Sequence, residues 1–128
     1  MRLNPDCIRD ILLTVEEKCD FDMPWEYNKD DIDSDYLCNY SHNEIVYHIR
    51  QAEESRLITG LHYYDGGSSV LISDLSPKGH EFLSNIRSDT VWNDVKEVST
   101  KVGSRSLTAI TQIASGVITQ IIKHQLGI

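Results

Sequence analysis

The side chains with the greatest chemical potential are a cysteine and two histidines that share one short segment. Cys38, His42 and His48 stand four and six residues apart, and thiolate and imidazole are ligands that zinc prefers. A structural zinc site normally draws on a second pair of ligands with C-x2-C spacing, which this sequence lacks. We therefore predict no metal site, and we expect His48 and His80 to pack against the core as hydrogen-bonded rings.

Carboxylates concentrate in one stretch, from Glu16 to Asp35. Nine acids oppose Lys18 and Lys29 there, so the stretch carries −7 of the formal net charge of −8. Such a stretch is either a solvated loop or a docking site for a basic partner. The candidate docking residues are Asp30, Asp31, Asp33 and Asp35. They lack the later Gly and the terminal Glu of a calcium loop.

Signatures of catalysis are absent from the sequence. There is no Gly-rich phosphate loop, no His-Glu-x-x-His pair and no nucleophile elbow. Gly66-Gly67 has the character of a turn. We therefore predict a protein that is not an enzyme and that takes no cofactor.

Two helix starts are marked by capping residues in the first half of the chain. Asn4 precedes Pro5 at the first helical position, and Ile8 and Ile11 begin an apolar stripe. Ser41 and Glu44 form a capping box before a second helix that runs to about Arg56. Between these helices, residues 20–40 have no clear period and are predicted to form an acidic loop with short extended pieces near Trp25 and residues 36–38.

The second half of the chain returns to strands and then to helices. Residues 61–65 and 69–72 flank Gly66-Gly67-Ser68, which predicts a β-hairpin. Ser76-Pro77 and Ser88 predict two further helix starts, and Gly103 suits a helix end. The chain is therefore predicted to be α+β and mainly helical.

The last 25 residues have an unusual charge pattern. No charged residue occurs from Ser106 to Ile122, whereas a solvated surface helix normally carries charge. Apolar residues step by three and four, as in the seam of a heptad repeat. The seam residues are Leu107, Ile110, Ala114, Val117 and Ile121. The stretch is too short and too polar on its opposite face for a membrane span, so we predict homo-oligomerisation, which an aspartate at Ile110 or Val117 should disrupt.

The order of helix, capped helix, hairpin and helix resembles a winged helix. Residues 41–58 resemble the recognition helix of bacterial winged-helix regulators, and residues 74–83 resemble the exit from their wing. Ala52 and Ser55-Arg56 depart from that pattern. The resemblance implies that the second helix contacts DNA or a protein partner. The candidate contact residues are His42, Asn43, Tyr47, Arg50 and Gln51.

Charge argues against DNA as the partner of this helix. From Ser41 to Arg56 the net charge is −1, whereas affinity for duplex DNA comes largely from neutralising phosphates. The hairpin tip, residues 65–68, also lacks Arg and Lys. Sequence-specific DNA binding stays open, because a dimer could gather basic residues from several elements into one band.

Nearly the whole chain resembles an uncharacterised prokaryotic family, domain of unknown function 2513, common in phage and prophage genomes. The residues that carry the resemblance are 3–12, Tyr47-His48-Ile49, 79–83, Asn85-Ile86-Arg87 and Trp92. The family implies a phage or mobile-element setting and no established activity.

These observations predict two segments and a location. We expect a winged-helix-like core at residues 1–88, with its acidic loop at 20–40, and a C-terminal helical extension at 89–128. The start of the chain lacks a secretory signal and the three cysteines are odd in number, which favours reduced thiols in the cytoplasm and no membrane. The favoured function is a protein-interaction module that binds itself and an unidentified host or phage protein. The alternative is an oligomeric DNA-binding transcriptional regulator that uses helix 41–56 and the 61–75 wing.

Overall fold

The computed structural model describes all 128 residues, and it is α+β and mainly helical, as predicted. It contains five α-helices and five short strands. In chain order they are α1 (Pro5–Lys18), β1 (Trp25–Asn28), α2 (His42–Glu54), β2 (Ile58–Thr59), β3 (His62–Tyr64), β4 (Ser69–Ile72), β5 (Asp74–Leu75), α3 (Pro77–Ile86), α4 (Asp89–Val102) and α5 (Leu107–Leu126). The chain divides into two units, Met1–His80 and Glu81–Ile128.

The helix starts of the first unit form where local hydrogen bonds satisfy the free N–H groups. The Asn4 side chain accepts from the Asp6 N–H at 3.1 Å, with Pro5 in the first turn. Ser41 and Glu44 form both hydrogen bonds of the capping box. Both predicted caps are therefore confirmed, because each depends only on residues within one turn.

A three-stranded antiparallel sheet in the order β1-β4-β3 lies in the first unit, and β2 pairs with β5 as a second ladder. The predicted hairpin is confirmed as β3 and β4, joined by a short 3₁₀ turn at Asp65–Gly67. Alternate residues of β1 and β4 point inward, so Trp25 pairs with Ile72 and Tyr27 with Val70, all four buried.

Residues 20–40 are more ordered than an acidic loop. They contain β1, whose partner β4 lies more than forty residues further along the chain. Residues 36–38 are not extended; they lie in turns closed by hydrogen bonds from the Leu37 N–H to Ser34 O and from the Tyr40 N–H to Leu37 O. The extended piece predicted near Trp25 is therefore confirmed as β1. Its pairing with β4 leaves little local signal, so the sequence pattern did not predict the sheet that contains it.

The second unit contains an antiparallel helical hairpin made of α4 and α5. Ser88 caps α4, and Gly103 ends it in the left-handed region, with φ of 80°. Ser106 caps α5. Apolar side chains from both helices fill the space between them. Those buried in the hairpin are Trp92, Val95, Leu107, Ile110 and Ala114.

Candidate interaction surfaces

The outward face of α2 carries two of the predicted contact residues in solvent-exposed positions. Asn43 and Arg50 are both exposed. Arg50 pairs with Glu54 one turn later, with Nε and Oε1 3.6 Å apart. An exposed pair of this kind contributes only a few tenths of a kcal/mol, about 0.3–0.5, so the Arg50 guanidinium is available to a partner.

The other three predicted contact residues are partly covered. His42 stacks on Tyr27 of β1, with ring centroids 5.7 Å apart, and its Nδ1 is hydrogen bonded to the Tyr27 hydroxyl at 2.7 Å. Tyr47 and Gln51 are half-buried, and the Tyr47 ring packs edge-on against His48. His42 thus connects α2 to β1. No local sequence pattern predicts this contact, because it depends on how the two elements pack.

A shallow cleft of about 410 Å³ separates α2 from the hairpin. Its lining residues are Val46, Arg50, Tyr63, Gly66 and Gly67. The Tyr63 hydroxyl donates to Glu53 Oε1 at 2.9 Å. Burial and this carboxylate raise the pKa of Tyr63 well above its usual value. The single arginine of the cleft therefore faces carboxylates on its own helix, and the cleft has no excess of positive charge.

The acidic segment, residues 30–35, lies beside the hairpin tip. The Lys29 N–H donates to Ser68 O at 3.0 Å, which holds the start of the segment against the tip. Asp30, Asp31, Asp33 and Asp35 are all exposed. Asp33 accepts from Trp25 Nε1 at 3.3 Å and lies 3.8 Å from Lys18 Nζ. The tip itself contributes Asp65, so this edge of the first unit is acidic.

No group of three histidines, cysteines or carboxylates is arranged to hold a metal ion. His48 is fully buried, with Nδ1 2.7 Å from Glu44 O and Nε2 accepting from the Asn4 N–H at 2.8 Å. It therefore packs as a hydrogen-bonded core ring, as predicted, whereas the same prediction for His80 is wrong, because His80 is exposed. Burial raises the pKa of the Cys7 thiol to about 12, so this thiol stays protonated and a poor nucleophile.

The buried His48 ring makes stability depend on pH. Burial lowers its pKa below the ordinary 6.5, and the Nε2 lone pair that binds the Asn4 N–H is lost on protonation. The unfolded chain therefore takes up the proton first, and the free energy of unfolding should fall as pH drops from about 6.5 through the lowered pKa, by at most about 1.4 kcal/mol per pH unit.

Urea unfolding at pH 7.5, 6.5 and 5.5 measures this dependence. We expect the His48→Gln variant to lose stability at every pH and to show a flatter slope below pH 6.5. The exposed His62 provides the matched control, and His62→Gln should keep the wild-type slope. A His48→Gln slope equal to that of the wild type would contradict the assignment.

An apolar groove of about 530 Å³ runs between α4 and α5. Val98 of α4 lies on one side, and α5 contributes the other. The remaining lining residues are Asp94, Ile113, Gly116, Val117, Gln120 and Ile121. Of the predicted seam, Leu107, Ile110 and Ala114 are buried inside the hairpin, whereas Val117 is half-buried and Ile121 is exposed.

Sequence reasoning missed two parts of this groove. Val98 belongs to the apolar pattern of α4, but nothing in that pattern marks it as uncovered. Gly116 offered the one available signal, since a glycine inside a helix costs about 1 kcal/mol relative to alanine and calls for a reason.

No helix of the chain is long and apolar enough to span a membrane.

Comparison with known proteins identifies the family. A family model described as "Hypothetical protein (DUF2513)" matches residues 2–105. The chain belongs to this family. Residues 106–128, which include α5, lie outside the DUF2513 match. An uncharacterized protein of Haemophilus influenzae (strain ATCC 51907 / DSM 11121 / KW20 / Rd) is 32% identical over 124 residues, covering 95% of this chain and 99% of that protein. No solved structure matches.

Proposed function

We propose that this protein is a non-enzymatic, winged-helix-like interaction module of a phage or mobile element, that it acts in the cytoplasm, and that it self-associates through the α4–α5 groove. One observation carries the proposal: the apolar seam of α5 is buried against α4 as far as Ala114, but it is only half-buried at Val117 and is exposed at Ile121. When a partner covers the water-exposed apolar side chains of one groove, their removal from water stabilises the complex.

Charge favours a second copy of the chain as the occupant of the groove. The only ionisable side chain that lines it is Asp94, and α5 is uncharged from Ser106 to Ile122. A strongly charged partner would therefore find a single carboxylate to pair with there, whereas a second copy brings the same uncharged face of α5. A two-fold dimer uses one surface twice, which suits a self-complementary apolar stripe.

The first unit supports the winged-helix assignment and a second, different partner. Its first strand lies between two helices and pairs with the last strand of the hairpin, in the order β1-β4-β3. In the proposal, the acidic segment at residues 30–35 and the neighbouring hairpin tip meet a basic surface on a host or phage protein. The three free cysteines support a reducing compartment.

The self-association is tested by the molar mass in solution. Light scattering of the unmodified chain at micromolar concentration should give twice the 14.6 kDa of one chain. A mass of one chain at every concentration up to the millimolar range would overturn the proposal.

A second candidate function, an oligomeric DNA-binding regulator, draws support from the exposed Asn43 and Arg50 on the helix before the hairpin. Side-chain amides and guanidinium groups read base edges in the major groove. The acidic hairpin tip opposes it. In fluorescence anisotropy with fragments of the native genomic neighbourhood, we expect no binding at low salt. Tight, salt-sensitive binding that Arg50→Ala weakens would favour the regulator instead.

A further inference from the structure

Gly116 has no packing role within its own chain. It lies in the middle of α5 and is exposed, and a Cβ added to it would meet no atom within 4 Å. A glycine in this position weakens the helix by about 1 kcal/mol relative to alanine. No contact within the folded chain offsets that destabilisation. A glycine does, however, let another backbone or side chain approach closely.

Four of the five α5 residues that line the groove form two pairs about the middle of the helix, and Ile121 is the fifth. The midpoint of Leu107–Leu126 falls between Gly116 and Val117. The groove residues Ile113 and Gln120 lie equally far on either side of that point. When two identical helices pack antiparallel about a two-fold axis through their midpoints, each residue meets its mirror position, so Val117 of one helix meets Gly116 of the other.

We propose that two copies pair isologously, with α5 antiparallel to α5 of the second copy and with Val117 of each seated on Gly116 of the other. This inference rests on the proposed self-association and specifies its geometry. The missing Cβ of Gly116 provides the hole, and the branched side chain of Val117 provides the knob.

Helix length also leaves part of α5 uncovered for a second copy. With 20 residues, α5 is about 30 Å long, whereas the 14 residues of α4 span about 21 Å. The last part of α5 therefore extends past α4, and Ile121 and Ile122 there are exposed. An antiparallel pair centred between Gly116 and Val117 overlaps along the whole of α5 and places Ile121 and Ile122 level with Gln112 and Thr111 of the second copy.

Disulfide cross-linking tests the direction of the pair. In a Cys19→Ser, Cys38→Ser background, Ile113→Cys and Gln120→Cys are made singly and together. In the antiparallel pair, two copies of residue 113 are offset by about 10.5 Å along the axis, too far for a disulfide, whereas residue 113 lies level with residue 120 of the other copy. The same offset prevents a bond within one helix.

On oxidation, only the double variant should form a covalent dimer. Dimers from each single variant would show a parallel pair and overturn the inference. A double variant that stays uncross-linked while light scattering still gives two chains would also overturn it, and would leave the proposed self-association standing. One chain by light scattering would instead overturn the proposed function itself.

Gly116→Ala separates an interface role from an incidental glycine. We expect the substitution to stabilise the dissociated chain, because alanine favours the helix, and yet to raise the dimer dissociation constant at least tenfold, because the new methyl group fills the hole. Ser115→Ala, at the exposed neighbouring position, is the matched control and should leave dissociation unchanged. A Gly116→Ala dimer as tight as the wild type would contradict the close approach.

Discussion

Replacing Val117 with aspartate should leave a folded single chain in place of the dimer. Val117 is half-buried in the α4–α5 groove, where its exposed part is free for a partner. A carboxylate there would be stripped of water in the dimer without a positive partner, at a cost of several kcal/mol. We expect the dissociation constant to rise at least a hundredfold, which is about 2.8 kcal/mol.

Light scattering measures the effect, and circular dichroism checks that the helices persist. Val117 is a better position than Ile110, which the sequence offered equally. Ile110 is fully buried inside the hairpin, so aspartate there would unfold the unit and change the mass for an unrelated reason. Thr119→Asp, at an exposed position of the same helix, is the control and should keep the dimer. A Val117→Asp protein of unchanged mass would refute the groove as the interface.

Gly79→Ala should destabilise the first unit by about 3 kcal/mol, although alanine is the better helix former. Gly79 is in the first turn of α3, and a Cβ there would lie 1.9 Å from the carbonyl oxygen of Leu57 and 2.9 Å from its carbonyl carbon. That oxygen accepts from the Ser76 N–H at 3.0 Å. The clash is with backbone, so no side-chain rotation relieves it, and any shift also disturbs this hydrogen bond.

Urea unfolding followed by tryptophan fluorescence measures the loss. The same substitution at Gly116, where a Cβ meets nothing, provides the internal control and should raise the stability of the dissociated chain. Because the two changes are chemically identical and both lie in helices, their opposite signs isolate the contact with Leu57. Equal stabilisation by both would show that the backbone of residue 57 yields, contrary to this prediction.

Local chemistry made the helices and the hairpin predictable. Asn4 and Ser41 predict the starts of their helices, because a cap involves only residues within one turn. The hairpin followed from Gly66-Gly67-Ser68 between two stretches rich in aromatic or aliphatic residues. For β1 the sequence predicted only an extended piece near Trp25, because the pairing that stabilises it involves residues 69–72, far along the chain.

The candidate surfaces were predictable only in part, for the same reason. Helical periodicity placed His42 on the outward face of α2, but the stacking partner that covers it, Tyr27, belongs to a strand whose position beside α2 no local pattern reveals. On α5, periodicity found one continuous seam. Where burial stops along that seam depends on where α4 ends, which is a property of another helix.

The pairing distances within the two units have a consequence for the order of folding. The α4–α5 hairpin joins neighbours across a short connection, residues 103–106, and such local structure forms within microseconds. In the first unit, Trp25 pairs with Ile72. Closing this long loop costs conformational entropy before any stabilising contact forms, and this slows folding. A refolding chain therefore completes its proposed association surface early. Two chains can then associate through α5 before β1 has paired with β4.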